Sequence, residues 1–185
     1  MKKALVVTFS KFQDHEVIYP YYRLLEEGFE VDIMADQLGR IHGILGTYMD
    51  CTKTTSELHD KKDEFMKNYD LLVIPGGVKA LEKLRQETQV LNFIKEWDNE
   101  GKIIACICHG AQMLISANVT KGRQISGYYS IKDDISNSGA TYVDAPYVVS
   151  RNIVTSPHYK WMGQWMQASF RLYTEWASWQ RDCEL

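Results

Sequence analysis

Apolar positions run along this chain in two rhythms. Continuous apolar stretches occupy residues 4–9, 71–74 and most of 102–107, and each predicts a strand buried on both faces. Residues 30–35 alternate and then continue apolar, which adds a further strand. Between these runs, apolar side chains recur every three or four residues. Val17, Ile18, Tyr21, Leu24 and Leu25 mark a helix over 16–27, and similar patterns cover a long region at 81–100 and a short one at 111–117. Gly28 and Gly101 are suited to stop the first two, and Pro20 is expected in the tolerant first turn of the first helix. Residues 37–55, with Gly39, Gly43 and Gly46, predict a loop and a small hairpin, and 56–67 a short polar helix. A short helix is expected at 131–137. Short strands follow at 141–143, 147–149 and 153–155, the last two joined through Ser150-Arg151-Asn152. Strands alternating with helices over most of the length argue for an α/β fold with a mainly parallel sheet. No repeat or linker interrupts the pattern, so residues 1–185 read as one domain with a Trp-rich C-terminal helix at about 160–180.

Composition narrows the classes. The 185 residues carry a net charge of -3, which leaves no basic footprint for nucleic acid. No apolar run approaches the ~20 residues of a membrane span. The start, Met1-Lys2-Lys3-Ala4-Leu5, is followed too soon by polar residues for a signal peptide and reads as a first strand. Four cysteines do not make a disulfide framework in a chain of this size, so a reduced, cytoplasmic protein is expected.

The candidate chemistry sits where the 102–107 strand ends, at Cys106-Ile107-Cys108-His109-Gly110-Ala111. The pattern predicts a strand, a sharp turn holding Cys108, and a helix. A thiol at a helix N-terminus feels the positive end of the dipole, and such sites can bring a cysteine pKa down from ~8.5 to about 3.5–7.5. Cys108 reads as a nucleophile or as a buried structural cysteine; Cys106 reads as core. His109 is a candidate base or merely a helix-start histidine. Glu16 is a candidate partner of the thiol or an ordinary first-turn acid. The apolar run 71–74 ends in Pro75-Gly76-Gly77, where a backbone can approach a ligand closely. Ligands of such sheets lie beyond the carboxyl ends of the strands, so parallel neighbours would gather Glu16, Gly76, Gly77 and Cys108 in one crevice. Cys106, Cys108 and His109 lack a second Cys/His pair at zinc-like spacing, so no metal is expected. His158, after Pro157, reads as a loop histidine. The aromatic stripe Trp161, Trp165, Phe170, Tyr173 and Trp176 reads as core or subunit interface.

Four segments in order resemble the ThiJ/PfpI superfamily, closest to its PfpI-type intracellular cysteine proteases. They are Phe12-Gln13-Asp14-His15-Glu16, Leu71-Leu72-Val73-Ile74-Pro75-Gly76-Gly77, Ala105-Cys106-Ile107-Cys108-His109-Gly110 and Tyr128-Tyr129-Ser130-Ile131-Lys132-Asp133-Asp134. The resemblance implies a flavodoxin-like three-layer sandwich, a homodimer or higher homo-oligomer, and no cofactor. It implies Cys108 as nucleophile with Glu16 at its sulfur, and Gly77 and His109 N–H groups as the oxyanion hole. It implies Glu82 reaching the Cys–His pair of a neighbouring subunit, although Glu82 stands one residue further from the glycines than the family pattern. Tyr128 and His158 are the remaining candidates for substrate contact. The family's chemistries include glyoxalase III-like and deglycase action on small reactive carbonyls, peptide hydrolysis, isocyanide hydration and non-enzymatic redox sensing. The expectation here is a stress-type enzyme acting on small carbonyls, with a small-molecule substrate, or a peptide under the protease alternative.

Overall fold

The computed structural model describes residues 1–183. The chain runs through β1 (Lys3–Val7), α1 (Asp14–Glu26), β2 (Glu30–Ala35), β3 (Gly39–His42), β4 (Tyr48–Cys51), β5 (Lys53–Thr54) and α2 (Leu58–Asn68). It continues through β6 (Leu71–Ile74), α3 (Val78–Leu84), α4 (Thr88–Asn99), β7 (Ile103–Ile107), α5 (Ala111–Ser116) and β8 (Gln124–Ile125). The last elements are α6 (Lys132–Asn137), β9 (Thr141–Tyr142), β10 (Val148–Ser150), β11 (Ile153–Ser156) and α7 (Met162–Cys183).

The continuous apolar runs become the middle of a seven-stranded sheet with the order β10-β11-β7-β6-β1-β2-β5. All pairs are parallel except β10 with β11. Every residue of β6 and β7 is buried, as expected of strands covered on both faces. Each large apolar side chain so buried contributes roughly 1.5–3 kcal/mol, which makes these strands a rigid platform for the loops at their ends.

Helix placement follows from strand order. The chain steps from β1 outward to β2 and then returns past β1 to β6. Right-handed crossovers therefore put α1 on one face and α2 on the other. Contacts agree: α7 packs with α1 and against β7 and β11, while α4 packs with α2 and against β7. The result is the expected α/β flavodoxin-like three-layer sandwich. The β3–β4 hairpin lies outside the main sheet as its own two-stranded ribbon, and β8 pairs with β9 in another.

Three local expectations change. Region 81–100 is two helices, because the chain breaks at Arg85-Gln86-Glu87. The break lets α3 pack on α5 while α4 packs on α2. Helix α1 opens at Asp14, so Pro20 lies in its second turn and its missing N–H leaves the Glu16 carbonyl without a helical partner. The short β5 and β8 have no apolar run to announce them. In the aromatic stripe, read as core or subunit interface, Trp165 is indeed fully buried, and Phe170, Tyr173 and Trp176 are partly buried against the core.

Candidate active site

The strand order reverses between β1 and β6, and ligands of open α/β sheets bind at such a point, beyond the carboxyl ends. Three loops meet there: residues 8–13 after β1, 75–77 after β6, and the turn after β7. The Gln13 N–H donates to the Gly76 carbonyl at 3.3 Å, which stitches the first two loops together. Gly77 has φ +102°, and a Cβ there would lie 2.6 Å from the Gln13 nitrogen. A Cβ on Gly76 would run into the Glu16 carboxyl and lie 2.8 Å from the Cys108 Cβ. The two glycines thus make room for the acid and the thiol to converge.

Cys108 has φ +60°, a left-handed conformation that costs a non-glycine residue about 1–2 kcal/mol. This strained strand-to-helix turn presents the sulfur at the sheet's edge, as nucleophile elbows do. The His109 backbone N–H is directed at the sulfur. His109 also turns its ring back onto the thiol: Nδ1 lies 3.4 Å from Cys108 Sγ. The other ring nitrogen, Nε2, lies 3.5 Å from Ser130 Oγ. The His109 ring stacks on Tyr128 at 4.5 Å, and the Tyr128 N–H is tied to the Cys108 carbonyl at 3.2 Å. If Nδ1 accepts from the thiol, Nε2 carries the proton and Ser130 accepts it.

Glu16 is fully buried. Its Oε2 accepts from the Gly76 N–H at 2.7 Å, while Oε1 has no hydrogen-bond partner among the described residues. Burial raises its pKa to about 8, against the opposing pull of the Gly76 N–H and the Cys108 side chain. The carboxyl is therefore neutral at pH 7, and Oε1 is the oxygen free to carry the proton. Burial, and next to it a charged Glu16, push the Cys108 thiol well up. The pair thus holds at most one negative charge near neutrality. This corrects the expectation of a thiol acidified by the helix dipole: α5 has only six residues, and the thiol is largely buried.

The crevice around the sulfur has a volume of about 480 Å³. A DJ-1/PfpI family model matches residues 2–171. The chain belongs to the DJ-1/PfpI family. It is 40% identical over 169 residues to a Pyrococcus furiosus protein named "Deglycase PfpI", covering 89% of this chain and 98% of that one. It is 36% identical to the Bacillus subtilis protein named "Putative cysteine protease YraA", covering 84% and 88%. Schizosaccharomyces pombe DJ-1 shares the fold, with a TM-score of 0.81 at 22% identity over 94% of this chain and 90% of that one. A two-domain protein of Anabaena variabilis, with DJ-1/ThiJ/PfpI-like and ferritin-like domains, superposes with a TM-score of 0.85 at 29% identity. The match covers 92% of this chain but only 48% of that one, so this chain spans about half its length.

Within this DJ-1/PfpI chain, Glu16, Gly77, Cys108, His109, Tyr128 and His158 all line the crevice. Gly76 lies beneath it, against Glu16 and Cys108. Glu82 does not reach the crevice of its own chain: it sits on the exposed side of α3 and pairs with Lys79 at 3.4 Å. His158 is more than a loop histidine. Its Nδ1 accepts the Lys160 N–H at 3.1 Å, so the neutral ring carries its proton on Nε2. Burial, then Lys160 and His15, lower its pKa and keep it neutral.

Sequence reasoning missed Ser130, Tyr159 and Ile44, which also line the crevice. Ser130 falls within a segment that carried the family resemblance and could have been found there. Tyr159 lies tilted against its neighbour His158 and stacks on His15 at 4.5 Å, and the His15 contact joins distant parts of the chain that no local pattern announces. Among the described residues no cluster of His, Cys, Asp and Glu is arranged to hold a metal ion, and no helix is long and apolar enough to cross a membrane.

Proposed function

We propose that this protein is a cysteine-dependent enzyme of the deglycase and glyoxalase III kind, acting on small reactive carbonyls such as methylglyoxal and their adducts. The observation that carries the reading is the buried Glu16, its pKa raised by burial, beside a thiol whose imidazole partner ends on a hydroxyl. Carbonyl addition needs a proton shuttle around one sulfur, and this arrangement supplies it. The relatives named as deglycases support the same reading.

The steps balance as an internal redox isomerisation followed by hydrolysis. His109 Nδ1 takes the thiol proton as Cys108 Sγ bonds to the aldehyde carbon. The Gly77 and His109 N–H groups hold the developing oxyanion, which takes the Glu16 proton to give a thiohemiacetal. The Glu16 carboxylate then removes the proton on the sulfur-bearing carbon. The electron pair moves to the neighbouring carbonyl, whose oxygen takes the proton held by His109, and an enediol forms. Glu16 returns its proton to the second carbon while the first hydroxyl gives its own to His109, leaving a thioester. Water cleaves the thioester to a hydroxy acid and restores the thiol. For an aminocarbinol adduct, the C–N bond breaks as the C–S bond forms, and the thiol proton passes through His109 to the departing amine, leaving the same thiohemiacetal.

A peptidase of the triad kind needs a carboxylate behind the imidazole that activates its nucleophile. Among the described residues the far side of the His109 ring meets the Ser130 hydroxyl instead. The deciding experiment is lactate formation from methylglyoxal by the purified chain and by Cys108→Ser. Turnover only in the wild type supports the proposal. Turnover in Cys108→Ser, or casein cleavage without lactate formation in the wild type, sinks it.

A further inference from the structure

Glu16 has a neighbour that the proposed chemistry does not use. Asp14, two residues earlier on the first turn of α1, is also buried. Its carboxylate points away from the sulfur and into the turn between β3 and β4. Oδ2 accepts the Leu45 N–H at 2.7 Å, Oδ1 accepts the Thr47 N–H at 3.0 Å, and the Thr47 hydroxyl donates to Oδ1 as well. Gly43 lies so close that a Cβ there would overlap the Asp14 carboxyl. The loop before α1 closes on the same turn: the Ile44 N–H donates to the Phe12 carbonyl at 2.9 Å, and Lys11 N–H to the His42 carbonyl at 2.6 Å.

The turn needs such an anchor because its hairpin is not part of the main sheet. What the anchor presents is Ile44. This side chain is 51% exposed yet lines the crevice, beside the 41%-exposed Val78. An isoleucine half in water gains little for the fold; its contact surface faces whatever enters.

We propose that Asp14 is a positioning residue: it latches the β3–β4 turn against the crevice, and the latched turn makes Ile44 the size-selecting wall in front of Cys108. The site then admits small carbonyls, or adducts on flexible chain ends, and excludes bulky ones. Burial alone would raise the Asp14 carboxyl, but the Thr47 and Leu45 donors outweigh it and hold its pKa below the ordinary value. The latch is therefore charged and closed throughout the neutral range. The inference rests on Cys108 as the reactive group of the proposed function and not on which carbonyl it attacks.

The test compares alkylation rates of Cys108 in the full chain with iodoacetamide and with fluorescein maleimide, using Cys108→Ser to subtract other thiols. The readout is the ratio of the bulky rate to the small one, which a merely structural role would not move. Ile44→Ala and Asp14→Asn should each raise it about tenfold, the scale on which pocket walls discriminate, and Thr47→Val should raise it less. An unchanged ratio in Ile44→Ala overturns the wall. An unchanged ratio in folded Asp14→Asn overturns the latch; if that variant does not fold, an unchanged ratio in Thr47→Val does so instead. Absence of methylglyoxal turnover, with the ratios behaving as expected, removes the substrate assignment and leaves this inference standing. No labelling of wild-type Cys108 by either reagent overturns both.

Discussion

Asp14 and Glu16 stand on one helical turn, both buried, with proton affinities moved in opposite directions. Donors from the hairpin hold Asp14 charged, whereas burial holds Glu16 neutral up to about pH 8. Two consequences follow for Glu16. The first is kinetic: the thiohemiacetal step needs its proton, so kcat/KM for methylglyoxal should fall as pH rises through about 8. The acid limb belongs to His109, which must be neutral to take the thiol proton. Burial lowers its pKa, so that limb should lie below the ordinary histidine range. A profile still rising through pH 9 contradicts the role given to Glu16. The second concerns stability. Between the unfolded value of 4.5 and the folded value of about 8, the folded state binds a proton that the unfolded state has lost, so stability falls as pH rises. The cost at pH 7 is on the order of 3 kcal/mol. Glu16→Gln should therefore melt higher than the wild type at pH 8 and alike at pH 4, while losing turnover; differential scanning at the two pH values checks this. None of these directions was legible from residue type. Glu16 read as a thiol partner or a first-turn acid and Asp14 as part of the loop before the helix, and only the tertiary surroundings give each its role. His109 was equally ambiguous, because the side of the turn its ring takes depends on packing against Tyr128.

The elements that carry the site were easier to read. The strands that end at the crevice are continuous apolar runs, and such runs have few alternatives to burial. Pro75-Gly76-Gly77 announced a close backbone approach, and the structure supplies the reason at both glycines. Gly77→Ala combines an unfavourable φ with a Cβ 2.6 Å from the Gln13 nitrogen. It should destabilise the protein by about 2–4 kcal/mol, beyond the usual range for point substitutions away from special backbone positions. It should also pull residues 10–13 off the crevice. Urea unfolding measures the first effect, and a rise in Cys108 alkylation under folded conditions the second. The division of 81–100 was hidden because Arg85-Gln86-Glu87 contains no glycine or proline, and the helical period continues across the break. Only the separate packing of α3 and α4 creates it.

At the scale of the whole molecule, the sheet has a chemical end and a structural end. At the amino ends of β7 and β11, the Arg123 guanidinium meets Asp98 at 2.6 Å and the Ser150 carbonyl at 2.9 Å, and Asn152 joins Asp98 to the Lys102 carbonyl. Both charged side chains are nearly buried. Asp98→Ala leaves the guanidinium unpaired and should cost about 3–5 kcal/mol, read as a lowered thermal midpoint. Below that midpoint the Cys108 alkylation rate should be unchanged, since the crevice lies at the other end of the sheet. A large change in that rate contradicts the separation. The family and sandwich were legible because the motif segments span most of the chain. The Arg123 network was not, because its members come from three separate stretches of sequence, 98–102, 123 and 150–152. The division bears on what happens when the activity is no longer needed. Cys108 is held in a left-handed backbone, and Glu16 is held uncharged in a dry place. Both weigh against the fold that contains them. In a lineage released from selection for the reaction, drift should erase these two residues first and leave a sturdier descendant. A relative with an intact sheet but glycine at the elbow and glutamine on α1 would be the fossil of this chemistry.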